Sequence, residues 1–270
     1  GDTDSPGDTS PSVLVVPPSQ EYVDSMAPSN ASTGRVLVGT SGWQYDSWVD
    51  PFYEGEAATL SAYANHFPTV EVNSTFYGLP ERETIESWTA QVADSHFVFS
   101  VKASRYLTHM KKLKEPSEPL DRLLEAIEPF GEGLEVVLFQ LPPHWRVNPD
   151  RLASFLSELP ERYRYAFEFR DPSWYTDEIY ELLAAHGAAF CIYHIAGHLS
   201  PKAVTSDFVY VRLHGSGEKY AGSYSNEDLG AWTGAITAWA RSGKDVYVYF
   251  DNDQEAAAPR DARRLLEMTR

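Results

Sequence analysis

Short apolar runs rich in Val, Phe and Tyr alternate with longer segments of helical periodicity from Arg35 to the end of the chain. This alternation is typical of strand–helix units built around a parallel sheet. We predict eight strands, at 36–39, 69–73, 97–102, 135–140, 165–170, 189–194, 209–214 and 246–251. Eight strand–helix units over about 235 residues match a (β/α)8 TIM-type barrel. A doubly wound open sheet is the alternative, but neither a Gly-x-Gly-x-x-Gly turn nor a P-loop is found after the first strand.

Two local signals mark the starts of predicted helices. Asn148 precedes Pro149, which is the arrangement of an N-cap followed by proline in the first helical turn. Ser225 is followed three residues later by Asp228, which resembles a capping box. Both signals lie between predicted strands, as a barrel requires.

Alternation within each strand separates the residues that face the helices from those that face the barrel interior. Tyr165, Phe167 and Phe169 fit the helix layer, which leaves Glu168 and Arg170 inside. The same rule directs further polar residues inward near the carboxyl ends of the strands: Glu71, Asn73, Lys102, Gln140, Arg212, His214 and Asp251. Active sites of such barrels are built at that end. Satisfied buried ion pairs are the structural alternative, but so many ionisable groups at one barrel mouth favour a functional site.

Four of these residues are candidates for acid–base catalysis: Glu71, Glu168, His214 and Asp251. Glu71 and Glu168 lie on roughly opposite strands, so a substrate between two carboxylates is one prediction, as in glycoside hydrolysis. Arg170 beside Glu168 is expected to keep that carboxyl ionised. The spacing along the chain does not give the distance between the Glu71 and Glu168 carboxyl groups, so it does not distinguish their possible catalytic roles.

The remaining candidates are predicted to bind the substrate: Asn73, Lys102, Gln140, Arg170, Arg212, Tyr220 and Tyr224. The guanidinium groups suit a carboxylate or a phosphate. Lys102 has two open roles, as an anion-binding cation or as an amine that forms a Schiff base. Tyr220 and Tyr224, in the Gly-rich loop after the seventh predicted strand, are the expected mobile ligand contacts.

Metal and cofactor predictions stay open. Glu71, Glu168, His214 and Asp251 are acceptable ligands for divalent cations, but the chain has no His-Glu-x-x-His motif and no cysteine pair. The single cysteine, Cys191, is expected to be a packed, inert thiol. We therefore assign no cofactor, and a metal-dependent hydrolase or isomerase is kept as an alternative.

Charge and composition narrow the classes of partner. The net charge of −17 disfavours nucleic acid and anionic membranes, although several cations lie near the predicted mouth. No apolar run reaches membrane-spanning length, and without a recognisable signal sequence a cytoplasmic location is expected. Residues 1–34 hold five acidic residues and no Lys or Arg, so we predict a flexible acidic tail before a barrel domain over 35–270.

Several segments together resemble one family across residues 36 to 255. They are VGTSGWQYDSW (38–48), VEVNSTFY (70–77), FSVKASRYLTH (99–109), LFQLPPHW (138–145), YAFEFRDPSW (165–174), FVYVRLHG (208–215) and YFDND (249–253). This order of motifs is similar to the YecE-like family, domain of unknown function 72. The resemblance implies a (β/α)8-type barrel and brings no assigned reaction. We predict an enzyme for a small polar substrate, anionic or sugar-like, the alternative being a barrel that binds a ligand, nucleic acid or protein without catalysis.

Overall fold

The computed structural model describes residues 32–217 and 221–270. Its strands are β1 (Val36–Ser41), β2 (Thr69–Val72), β3 (Val98–Lys102), β4 (Leu134–Gln140), β5 (Arg164–Glu168), β6 (Ala189–Ile195), β7 (His198–Leu199), β8 (Phe208–Leu213) and β9 (Asp245–Phe250). Eight of them pair in parallel around a closed ring, in which β1 joins β9, β5 joins β6 and β6 joins β8. The predicted TIM-type barrel is therefore confirmed. Most of the predicted acidic tail, residues 1–31, lies outside the described residues.

Helices surround this ring. They are α1 (Leu60–Ala64), α2 (Ser74–Tyr77), α3 (Arg82–Gln91), α4 (Ser117–Ile127), α5 (Pro149–Glu158), α6 (Asp177–Ala185), α7 (Asn226–Arg241) and α8 (Ala257–Met268). Short 3-10 turns occur at Asp46–Trp48, Glu128–Gly133, Pro172–Trp174 and Gln254–Ala256, and a π-helical turn occupies Tyr106–Met110. No helix of the described chain is long and apolar enough to cross a bilayer.

The two predicted helix starts are confirmed by their cap hydrogen bonds. The side chain of Asn148 accepts from the backbone N–H of Arg151 at 3.0 Å at the start of α5. Ser225 Oγ accepts from the N–H of Asp228 at 3.0 Å at the start of α7. Each cap satisfies an N–H group that the helix leaves without an internal partner.

One connection differs from the predicted repeat of strand and helix. Between β6 and β8 the described chain forms no helix; β7 pairs antiparallel with the end of β6, and an extended segment follows. This segment hydrogen-bonds to β6, where Thr205 Oγ1 accepts from Phe190 N–H at 2.9 Å and Ser200 Oγ accepts from Tyr193 N–H at 2.9 Å. Side-chain hydroxyls therefore satisfy backbone groups at this part of the barrel wall.

The strand parity deduced from the sequence is confirmed by packing. Outward residues such as Val209, Val211 and Phe167 join the core between barrel and helices. A second cluster fills the barrel itself: Leu37, Val98, Val136, Leu138, Ala166, Ala189, Cys191, Phe208, Tyr210, Tyr247 and Tyr249. Cys191 is completely buried there, and burial raises the pKa of its thiol well above the usual range. The apolar filling means that polar residues concentrate at the two ends.

An ion-pair network lies at the amino-terminal end of the barrel. Arg35 contacts Glu135 at 2.8 Å and Asp245 at 2.6 Å, and Arg164 contacts the same Asp245 at 2.8 Å. Burial alone would raise the pKa of Asp245, but hydrogen bonds from the two arginines lower it below its ordinary value. At this end of a barrel, such contacts are expected to serve stability.

Replacing Asp245 by Asn is expected to lower the free energy of unfolding by about 1–2 kcal/mol at neutral pH, because charge-assisted hydrogen bonds to both arginines are lost. A carboxyl whose pKa is depressed by folding contributes stability above its unfolded pKa, and this is lost as the pH falls through the folded value. Urea unfolding of both proteins should show a difference that shrinks below about pH 4. A difference that stays constant down to about pH 2 contradicts this assignment.

Candidate functional site

Arg212, on β8, is the centre of a buried charge network at the carboxyl end of the barrel. Its side chain is 1% exposed, and its Nη2 and Nη1 atoms donate to Glu71 and Glu168, each at 2.8 Å. Burial disfavours its charge, but the two carboxylates raise the pKa of the guanidinium well above its ordinary value. One cation on β8 thus joins carboxylates from β2 and β5, which the sequence placed on opposite sides of the barrel.

Glu71 is fully buried and has donors on both carboxylate oxygens. Ser41 Oγ donates to Oε1 at 2.7 Å, and Tyr210 OH donates to Oε2 at 2.6 Å. Arg212 adds Nε–H bonds to the two oxygens at 3.1 and 3.0 Å. A carboxylate surrounded in this way is held in one orientation, with no surface exposed to a ligand.

Glu168 is also fully buried, and its two oxygens are divided between two guanidinium groups. Arg170 Nε donates to Oε1, and Arg212 Nη1 donates to Oε2 at 2.8 Å. Burial opposes ionisation, but Arg170 and Arg212 hold the pKa of the Glu168 carboxyl well below its ordinary value. Glu168 is therefore a buried anion that positions two cations.

His214 and Asp251 extend the network. His214 Nδ1 lies 3.0 Å from Asp251 Oδ2, which only accepts, so we place the ring proton on Nδ1. Its Nε2 then accepts from Arg170 Nη2 and Arg212 Nη1, each at 3.3 Å. Burial raises the pKa of Asp251, but the contact with His214 outweighs it and lowers that pKa below its ordinary value.

The arrangement does not form a metal site. The oxygens of Glu71 and Glu168 accept from guanidinium groups, and the imidazole of His214 lies between Asp251 and two cations. Among the residues that the structure describes, no group of three or more His, Cys, Asp or Glu side chains is placed to hold a metal ion. The predicted ligand types are present, but cations already occupy the position of a metal between them.

A cavity of about 500 Å³ is the second feature of this end of the barrel. Three predicted site residues line it: Lys102, Gln140 and Arg170. Its other walls are Phe76, Tyr77, His109, Pro143, Pro172, Tyr193, Ile195, Ala196 and His198. The two fully buried carboxylates, Glu71 and Glu168, are absent from this lining. Arg170 connects the buried network to the accessible surface, because it lines the cavity and donates to Glu168.

Lys102 ends β3 and directs its amine to this surface. Nζ lies 4.0 Å from the centre of the Phe76 ring, a cation–π distance. Among residues 32–217 and 221–270 the Lys102 amine makes no hydrogen bond and no ion pair. Burial, together with the nearby charge of Arg212, lowers the pKa of Lys102 to about 8. A larger fraction of neutral amine is therefore present near neutral pH than for an ordinary lysine.

His109 lies beside Lys102 and was missed by the sequence analysis. Its ring packs edge-on against Phe76 with centroids 5.0 Å apart, so Lys102 and His109 flank the same aromatic ring. Burial, with the charges of Lys102 and Arg170, lowers the pKa of His109 to about 4. Thr108 Oγ1 donates to the Ser104 carbonyl at 3.3 Å and lies 2.8 Å from His109 Nδ1. Because its proton is used in the first contact, the hydroxyl accepts from Nδ1–H of His109. The other ring nitrogen, Nε2, is then an acceptor.

The only sequence signal for His109 was its position at the end of the FSVKASRYLTH segment. It follows β3 on the π-helical turn Tyr106–Met110 rather than on a strand. Strand parity carries no information there, because the direction of a loop side chain depends on how the loop packs.

Three further residues were predicted to bind the substrate: Asn73, Tyr220 and Tyr224. Asn73 lies just beyond β2, and its buried Oδ1 has no hydrogen-bond partner in the described chain. Tyr224 is 2% exposed, and its OH contacts His194 Nδ1 at 3.0 Å and accepts from Gly215 N–H at 3.2 Å. Tyr224 is therefore a packed residue that supports its loop instead of the mobile contact we expected. Tyr220 lies outside the described residues.

These features define a class of protein: a parallel eight-stranded barrel with a buried charge network and a cavity at the carboxyl ends of its strands. The chain belongs to the family described as protein of unknown function DUF72, whose model matches residues 37–270. It is 24% identical to the protein YunF of Bacillus subtilis strain 168, over 86% of this chain and 94% of YunF. The resemblance proposed from the sequence motifs is thus confirmed.

Solved structures support the same family and fold. The DUF72 family protein TM1631 of Thermotoga maritima MSB8 matches with a TM-score of 0.75 and 29% identity, over 87% of this chain and 98% of that one. A D-psicose 3-epimerase solved in the presence of D-fructose matches with a TM-score of 0.53 and 9% identity, over 84% and 94%. The second likeness supports the barrel fold alone.

Proposed function

We propose that this protein is an enzyme that binds a small anionic substrate in the cavity at the barrel mouth and acts on it by proton transfer. The observation that carries this proposal is the cavity lining itself. Arg170, Lys102 and His109 face one space of about 500 Å³ and are a fixed cation, an amine of lowered pKa and a neutral imidazole. Perturbed ionisable groups that converge on a cleft are typical of catalytic sites.

The size and walls of the cavity favour a small ligand with a flat or apolar portion. Its volume lies within the range of ordinary small-molecule sites. The rings of Phe76, Tyr77 and Tyr193 provide apolar surface, and Gln140 contributes an amide that makes no hydrogen bond within the described chain. Lys102 and Arg170 supply positive charge, so an anionic group is the expected polar part of the substrate.

Proton transfer is assigned to Lys102 and His109 in place of the buried carboxylates. A general base needs an available lone pair and access to the substrate. Glu71 and Glu168 have neither, because they are fully buried and bonded to cations. Lys102 and His109 line the cavity, and their neutral forms are favoured by burial and by neighbouring cations.

The buried network then has a positioning role. Glu168 holds Arg170 through the Nε–H bond, and the Arg170 guanidinium lies 4.9 Å from the centre of the Tyr193 ring. A guanidinium held by a carboxylate on one side and an aromatic ring on another keeps its orientation before the ligand arrives. Such preorganisation strengthens the stabilisation of charge in a transition state.

A ligand screen tests this proposal. The protein is incubated with a panel of phosphates, short carboxylates, oxo acids, sugar phosphates and neutral sugars, and thermal stabilisation is measured. Anions are expected to stabilise the wild-type protein and not the Lys102→Met or His109→Gln variants. Lys114→Met is the matched control, because Lys114 is exposed on the surface.

The outcomes separate the alternatives. Stabilisation by anions in wild type and Lys114→Met, with turnover of one of them, supports the enzyme. Binding without turnover favours the non-catalytic barrel. If Lys102→Met responds to every compound as wild type does, the cavity is not the binding site and the proposal is wrong.

A further inference from the structure

Lys102 lies close to three carboxylates yet pairs with none of them. Glu168, Glu71 and Asp251 are near enough to act on its pKa, but no ion pair joins Nζ to any residue of the described chain. A buried lysine in such surroundings would ordinarily take a carboxylate as partner. The absence of a partner therefore needs a structural cause.

The cause is that other donors occupy these carboxylates. Arg212 contacts Glu71 and Glu168 at 2.8 Å, and Arg170 takes the second oxygen of Glu168. Asp251 lies 3.0 Å from His214 Nδ1. The two arginines thereby leave the amine of Lys102 facing the Phe76 ring and the cavity, without a salt bridge that would keep it protonated.

We propose that Lys102 is a nucleophile that forms an imine with the carbonyl group of a small aldehyde or ketone bearing a carboxylate or phosphate. This inference rests on the proposed function and adds a covalent step and a substrate class to it. A lysine amine that is desolvated and next to another cation is the kind that attacks carbonyl carbon. The anionic group of the same molecule would face Arg170.

The step balances without any further reactant. The lone pair of Nζ forms a bond to the carbonyl carbon, and the C=O electron pair moves to oxygen, which takes up a proton while the nitrogen loses one. The resulting carbinolamine loses water as the nitrogen lone pair forms the C=N bond. His109 is placed to move these protons, because it flanks the same Phe76 ring and its Nε2 is an acceptor.

Reductive trapping tests the imine. The full chain is incubated with pyruvate or with glyoxylate in the presence of cyanoborohydride, and the modified peptides are identified by mass spectrometry. Lys102 is expected to be labelled at least about tenfold faster than Lys114 at neutral pH, because more of its amine is neutral. The labelling rate of Lys102 should rise with pH with a midpoint near its pKa of about 8. Lactate, which lacks the carbonyl group, should compete with pyruvate without forming an adduct.

Two variants keep the test decisive. Lys102→Arg retains the positive charge and should lose the adduct, whereas Lys114→Arg should keep it; circular dichroism confirms that both are folded. If Lys102 is labelled no faster than Lys114 with either probe, the imine proposal is overturned. The proposed function survives that result if anions still stabilise wild type and not Lys102→Met, so the two failures are distinguishable.

Discussion

Replacement of Arg212 by Met is expected to lower the free energy of unfolding by about 3–5 kcal/mol, the range observed when one member of a buried ion pair is removed. Met fills much of the space of the arginine stem, but Glu71 loses the three hydrogen bonds that it accepts from Arg212. Glu168 is left with Arg170 as its guanidinium donor. Urea unfolding of the folded variant, or its yield as soluble protein, measures the effect.

The matched control is Arg82→Met on α3. Arg82 also contacts two carboxylates, Glu86 at 3.3 Å and Glu128 at 2.7 Å, but its side chain is 57% exposed. A much smaller loss of stability is expected there, because water screens the exposed pairs and replaces their contacts. The comparison thus shows how strongly the loss depends on the burial of the ion pairs.

A second substitution shows whether unpaired charge is the cause. Glu71→Gln in the Arg212→Met background removes the buried carboxylate that has lost its guanidinium partner, so it should recover part of the lost stability. A loss below about 1 kcal/mol for Arg212→Met, or no recovery in the double variant, contradicts the assigned role.

Replacement of Lys102 by Arg is expected to reduce turnover by a factor of about 10² to 10⁴, the usual contribution of a proton-transfer group. Arg keeps the positive charge for anion binding but does not release its proton at accessible pH. We therefore expect a large fall in kcat with a smaller change in KM, measured on the substrate that the ligand screen identifies. Lys114→Arg is the control and should match wild type.

The pH dependence of turnover provides an independent test of the role of Lys102. Under the proposed function neutral Lys102 is the active form, so wild-type turnover should rise with pH and level off above the Lys102 pKa of about 8. The residual turnover of Lys102→Arg should lack this step. A variant that retains wild-type kcat and the same pH profile would show that Lys102 acts only as a cation.

The sequence predicted the barrel and the composition of its polar end because both depend on local periodicity. Alternation along a strand is a property of the backbone, so Glu168 and Arg170 had to share a face with each other and oppose Phe167 and Phe169. Eight such strands in a closed parallel ring converge at their carboxyl ends, which brought Arg212, His214 and the carboxylates together. These inferences required no knowledge of distances.

The tertiary structure decided which of these inward-facing polar residues pair with one another. Sequence parity treats Glu71, Lys102 and Arg212 alike as inward residues, whereas the fold gives Arg212 both buried carboxylates and gives Lys102 the cavity. Depth along the barrel axis sets this difference, and it depends on the register between neighbouring strands. The two carboxylates predicted to act in catalysis, Glu71 and Glu168, are therefore buried and paired with cations, whereas Lys102 lines the cavity.

Loops were the least predictable part for the same reason. His109 reaches the cavity from a π-helical turn, Tyr224 packs inward from a loop that appeared exposed, and the connection from β6 to β8 forms no helix. Each conformation depends on contacts with residues distant in the chain, such as the Tyr224 hydroxyl with His194. The sequence by itself determined which residues face the barrel mouth, because strand alternation is local; only the tertiary structure decided which of them a ligand can reach, because burial depends on all eight strands at once.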